Sequence, residues 1–340
     1  MSSVRTWLYG LCLMVFAMVL LGGATRLTDS GLSITEWRPL IGMIPPLSDL
    51  DWQSVFQKYQ QIPEYSRVNE GMSLDEFKRI FWWEWSHRLL GRLIGIVLVV
   101  PWLVFTLMGK IPKNLQPKLL AMLLLGGLQG FLGWYMVKSG LVDRVDVSQY
   151  RLAIHLLMAA LIFWFILWVA LDLKGERRFQ LAAPVISRDV WMAGALAALL
   201  LAQIGLGALV AGLHAGLSHN TWPLMDGDFI PDGLWLLDPL IINLFENVMT
   251  VQFNHRMLAY VIVLLAGLHG FKVISKGGGP LRSSTILVLL VLFLQIVLGV
   301  TVLLLVLPFS LALAHQALAF IAFAVVIRHF YLVKAAYQQA

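Results

Sequence analysis

Four of the eight histidines stand at recurring places in apolar sequence: His87, His155, His255 and His315. Each lies a few residues inside a hydrophobic run, so all four fall at similar depth. An ionisable side chain in such a run is costly and faces the interior of a helix bundle. Two imidazoles at one depth on facing helices are what a six-coordinate heme iron needs. The runs pair His87 with His155 and His255 with His315. Four residues after each histidine stands a small residue, Gly91, Ala159, Ala259 or Ala319, which gives clearance beside a flat ligand. Hydrogen bonding across the bundle, proton relay, or another metal ion are the alternatives. No third carboxylate or thiolate recurs with the pairs, which disfavours a zinc-like site.

Around these histidines the two halves differ. Glu84 precedes His87 by three residues and shares its helix face; the matching position before His255 is Gln252. A carboxylate beside a heme can move protons or stabilise a cation, and an amide can do neither. Pairing of Glu84 with Arg88 is the plain alternative. Arg88, Arg92, Arg151 and Arg256 are candidate partners for anionic propionates; snorkelling to lipid phosphate would also account for them. His214 and His219 are candidates to line a heme edge, whereas His269 and His329 read as ordinary interface residues at helix ends.

The elements that position these groups are transmembrane helices. Hydrophobic residues make up 59% of the chain and charged residues 13%, with a mean hydropathy of +0.79. Soluble domains are about one-quarter charged. The net charge of +6 is scattered between apolar runs, which speaks against nucleic acid. The single cysteine, Cys12, excludes an internal disulfide or CxxC pattern.

About 20 apolar residues cross a bilayer. Stretches near 6–23, 81–108, 119–137, 150–171, 190–213, 248–270, 284–307 and 310–332 qualify. The last two are joined at Leu307-Pro308-Phe309, a tight turn. The first lacks a signal-peptide cleavage site and is expected to be retained. Segments that would lie inside carry thirteen basic residues against three acids, which predicts cytoplasmic termini. In the long first outer loop, Trp52, Val55, Phe56 and Tyr59 share a helical face and predict a short interfacial helix. Ser73 and Glu76 read as a capping box that starts the second spanning helix early. Trp82, Trp83 and Trp85 then suit an interfacial belt.

Residues 1–171 and 190–332 echo each other. Gly31-Leu-Ser33 with Trp37 returns as Gly216-Leu-Ser218 with Trp222. Trp85-Ser-His-Arg88 returns as Phe253-Asn-His-Arg256. Gln129 and Gly133 return as Gln295 and Gly299, and Arg151–His155 returns as Leu311–His315. The expected fold is therefore an all-α integral membrane protein of eight transmembrane helices in two parallel four-helix-bundle repeats. The boundaries fall at 1–175 and 190–340, with a linker at 176–189.

The run Gly22-Gly-Ala-Thr-Arg-Leu-Thr-Asp-Ser-Gly-Leu-Ser33 with Trp37, Pro39 and Pro45-Pro46, and the run Glu84-Trp-Ser-His-Arg88 with Gly91-Arg92, resemble the heme A synthase family. The resemblance covers nearly the whole chain. It implies oxidation of a methyl group of heme O to a formyl group by two hydroxylations and loss of water. Carried over by position, it implies that His87 and His155 hold the substrate heme, that His255 and His315 ligate a resident heme b, and that Glu84 is the catalytic carboxylate. Met1–Arg5 is too short for an Arg- and Ser-rich mitochondrial presequence, so a bacterial inner membrane is expected; heme O synthase and oxidase assembly factors are the partners the resemblance implies. A homo-oligomer is compatible with it. The chain lacks the loop cysteine pairs of some members and looks like the cysteine-free subgroup. A diheme b-type electron-transfer cytochrome is the competing function. A heme or solute transporter ranks last, because the parallel repeat and histidines in the outer half of the membrane give no alternating midplane site.

Overall fold

The computed structural model describes residues 2–37, 41–142, 144–173, 184–276 and 278–339. Pro39 of the family motif and residues 176–183 of the expected linker lie outside them. Eleven α-helices occur among the described residues: α1 (Ser2–Leu27), α2 (Asp49–Tyr59), α3 (Pro63–Arg67), α4 (Leu74–Leu107), α5 (Gln116–Lys138), α6 (Gln149–Asp172), α7 (Ser187–Gly212), α8 (Asn243–Glu246), α9 (Val248–Lys276), α10 (Gly279–Leu304) and α11 (Phe309–Tyr337). Eight are long and apolar enough to cross a membrane: α1, α4, α5, α6, α7, α9, α10 and α11. The fold is all-helical. Apolar side chains such as Leu107, Leu264, Phe271 and Phe293 project outward, as lipid-facing helices require.

The chain divides into two compact units, Gly10–Ile162 and Met1–Tyr9 with Phe163–Ala340. In the larger unit α7, α9, α10 and α11 close a ring. There α9 and α11 stand across the bundle from each other, each flanked by α7 and α10. The α10–α11 turn places Val306 and Leu307 at φ of 57° and 60°, and α11 starts directly after Pro308. In the other unit α1 packs against α4, α4 against α5, and α5 against α6.

The start of α4 follows from local chemistry. Ser73 Oγ accepts from the Glu76 N–H, and the Glu76 carboxylate accepts from the Ser73 N–H. Two orphan donors are satisfied reciprocally, and the helix forms well before its apolar run. A second capping box, Ser48 with Asp51, starts α2. The apolar face predicted for α2 is present, but it is not simply laid on a membrane surface. Trp52 and Tyr59 are buried in one cluster with Phe77 and Phe81 of α4. Edge-on and tilted ring contacts, Trp52–Phe81 at 4.9 Å and Tyr59–Phe77 at 5.1 Å, fasten α2 to the extension of α4.

Candidate heme sites

Each of the four histidines leans on a glycine of the neighbouring helix. An added Cβ at Gly22 of α1 would stand 3.0 Å from His87 Cε1, and one at Gly133 of α5 would stand 3.0 Å from His155 Cε1. In the other unit Gly207 of α7 faces His255 at 3.3 Å, and Gly299 of α10 faces His315 at 2.8 Å. No residue with a side chain fits the closest of these contacts. The glycines form flat shelves that bring backbone against imidazole, a use of small residues typical of membrane helices.

A glutamine one turn before the shelf holds three of the four rings. Gln129 Nε2 donates to the His155 carbonyl at 3.1 Å and lies 3.2 Å from its Nδ1. Gln203 does the same for His255, at 2.9 and 3.1 Å. Gln295 does so for His315, at 3.1 and 3.2 Å. Two of these glutamine–glycine pairs were readable as a sequence echo. The third, Gln203 with Gly207, has the same four-residue offset and lies on the spanning helix before its histidine's, but there the first-half counterpart has Met18. The fourth shelf has Met18 in the glutamine position.

The structure brings the histidines close in two pairs. His87 and His155 lie near enough to interact electrostatically, and so do His255 and His315. All four histidines are only partly buried. Gln129, Gln203 and Gln295 each leave a buried Oε1 unpaired, which native folds tolerate where a further group belongs. Two facing imidazoles on glycine shelves fit the axial ligands of a heme. The proposed clearance at Gly91 is different in kind: the Met18 methyl already stands 3.2 Å from where a Cβ would be.

Glu84 is held on every side. Its Oε1 accepts from Arg88 Nε at 3.0 Å and Nη2 at 2.6 Å. Its Oε2 accepts from the Ser33 hydroxyl at 2.8 Å and the Ile34 N–H at 2.7 Å. Arg88 also donates to the Ile34 and Glu36 carbonyls. Arg256 donates likewise to the His219 and Thr221 carbonyls. Where Glu84 accepts from its loop, Gln252 donates to its own, at the Ala215 and Ser218 carbonyls. The carboxylate and the amide thus fasten two loops with opposite polarity. Arg92 lies one turn beyond Arg88 on α4. Arg151 donates to the Tyr135 carbonyl and stacks over that ring at 3.7 Å. His219 pairs with Asp226 at 3.5 Å. His214 adopts a left-handed backbone before the turn Ala215–Leu217.

One expectation is overturned. His269 and His329 are not ordinary interface residues. Both are fully buried, and their Nε2 atoms stand 2.8 Å apart. The His329 Nδ1 also meets Ser284 Oγ at 3.3 Å. Two polar rings in an apolar bundle satisfy each other because no water reaches them.

A family model described as cytochrome oxidase assembly protein (COX15-CtaA) matches residues 5–327. The chain belongs to this family. A protein of Mesorhizobium japonicum named heme A synthase is 51% identical over 339 residues, covering 99% of this chain and 92% of the relative. One of Chelativorans sp. with the same name is 50% identical over 335 residues, covering 98% and 92%. A third, of Nitrosospira multiformis, is 49% identical over 323 residues, covering 95% and 91%.

Proposed function

We propose that this chain oxidises a methyl substituent of heme O to a formyl group, the reaction of a heme A synthase. The observation that carries the reading is the pair of histidine couples, each ring seated on a glycine shelf, in a chain whose relatives bear that name. The methyl carbon gives up four electrons to an oxidant from outside the chain over two hydroxylations, and the gem-diol then loses water to give the aldehyde.

His87 and His155 would hold the substrate heme, and His255 and His315 a resident heme b. Heme b, when bound, supplies a one-electron carrier. Glu84 acts as a fixed charge beside the substrate couple. Its ties to Arg88, Ser33 and Ile34 hold it one turn from His87, where it stabilises positive charge developing on the substrate. Arg88, Arg92, Arg151 and Arg256 stand near the couples for the propionates. The division into bundles 1–175 and 190–340, acting as two repeats, belongs to this proposal. So do the bacterial inner membrane, the cytoplasmic termini favoured by the distribution of basic residues, and heme O synthase and oxidase assembly factors as partners.

Co-expression with a heme O synthase, followed by mass analysis of extracted hemes, tests the reading. Hydroxylated and formyl hemes are expected. Recovery of unmodified heme b alone would favour the diheme electron-transfer cytochrome.

A further inference from the structure

The four shelves differ at one position. Gln129, Gln203 and Gln295 each bridge the ring and the carbonyl of their histidine. A side-chain amide offers both donor and acceptor, so it can hold an imidazole in either tautomer. Beside His87 the corresponding residue is Met18, which has no N–H to give. The His87 Nδ1 is buried and makes no hydrogen bond of normal geometry; the Met18 carbonyl approaches it as the Gln203 carbonyl approaches the His255 ring, but no side-chain amide joins it. The Met18 methyl turns away to the notch at Gly91. A thioether on an unbranched chain is the most adaptable apolar filler and can follow a moving ring.

We infer that His87 is the exchangeable ligand of its couple: its imidazole leaves the iron of the bound heme and opens one axial position to a small exogenous ligand, while His155, His255 and His315 stay fixed. The inference rests on the reading that His87 and His155 hold a heme. It gives the two couples different chemistry independently of Glu84. A couple locked on both sides keeps its iron six-coordinate and suits electron transfer. A couple locked on one side admits a third party to the iron, on the α1–α4 face where Glu84 also resides.

Carbon monoxide added to the reduced, full-length protein carrying both hemes is the probe. About half of the total heme should bind it. Met18→Gln should keep the heme content by pyridine hemochrome and slow or weaken carbon monoxide uptake at least tenfold. Gln295→Met should make the second heme reactive as well. Two inert hemes in the wild type would overturn the inference. So would an unaltered response in Met18→Gln, or in Gln295→Met should the first variant fail to fold. A single heme whose amount is unchanged by His155→Ala would instead overturn the heme reading of the first couple, and the inference with it.

Discussion

Replacing Gly299 by alanine puts the shelf itself to the test. The new Cβ would lie 2.8 Å from His315 Cε1, whereas carbon atoms rest comfortably at about 3.5–4.0 Å. The ring must therefore retreat by about 1 Å. It cannot do so cheaply, because Gln295 grips both its Nδ1 and its carbonyl. Overpacking of this kind costs about 1–3 kcal/mol, which corresponds to a loss of heme affinity of roughly 5- to 150-fold. Glycine to alanine in a helix interior otherwise favours the helix, so a loss must come from the ring contact. Gly207→Ala is the internal control: its Cβ would stand 3.3 Å from His255, and a retreat of a few tenths of an ångström relieves it. Heme per protein and the low-spin ferric signal, measured after purification, read both variants. An unchanged heme load and spectrum in Gly299→Ala would refute the reasoning, as would equal damage in Gly207→Ala.

Glu84→Ala should retain the resident heme yet stall product formation in the mass analysis, and full turnover would remove Glu84 from the mechanism. The same change strips Arg88 of its partner, so stability should fall by about 3 kcal/mol, measured by thermal unfolding in detergent. Glu64 in α3 is buried, and its Oε2 makes no hydrogen bond. Burial, then the charges of Glu84, Asp29 and Asp146, push its pKa up to about 8 from 4.5, against the opposing pull of Arg26. The folded state then holds a proton that the unfolded chain releases, so stability falls as pH rises from about 4.5 to about 8. Glu64→Gln should remove that slope and stabilise the protein above pH 8 by at most about 5 kcal/mol; identical pH–stability curves for the two proteins would contradict this. His329→Ala leaves His269 buried without its Nε2 partner and should cost about 1–3 kcal/mol, with heme content unchanged. Loss of heme in that variant would mean that the lower pair is a ligand set.

Much of the frame was legible because local chemistry dictates it. Eight apolar runs must be helices in lipid, where every backbone group has to be satisfied internally. Ser73 with Glu76 announced the early start of α4, and Pro308 announced the turn into α11. The histidines were legible by recurrence. Their supports were read only in part. Gly91 lies one turn along the histidine's own helix, but a ring meets the helix beside it. Gly22, Gly133, Gly207 and Gly299 do that work, and which helix lies alongside is a tertiary fact. The Glu84–Arg88 pair followed from spacing; the grip of Ser33 and Ile34 on the other carboxylate oxygen did not, since it joins residues about fifty positions apart. The aromatic face of α2 was legible as a face, but its partner, the extended start of α4, was not.

The same two helices show why a histidine pair is not by itself a heme site. His269 and His329 follow His255 and His315 by the same number of residues on α9 and α11, roughly 21 Å along at 1.5 Å per residue. Depth and spacing alone would predict a second couple there. The neighbours decide otherwise. One turn beyond the upper rings stand Ala259 and Ala319. One turn beyond the lower rings stand Val273 and Val333, both fully buried in a packed cluster with Ala193, Leu281 and Leu332. The upper histidines are partly exposed and lean on glycine; the lower ones are fully buried and bond to each other. An iron between two imidazoles would need their nitrogens much farther apart than 2.8 Å, because each iron–nitrogen bond is itself about 2 Å, like the zinc–imidazole bond. Opening the lower pair that far would break the valine packing around it. What distinguishes ligand from strut is what surrounds each ring: alanine on the adjacent turn with glycine and glutamine on the neighbouring helix above, valine on the adjacent turn below.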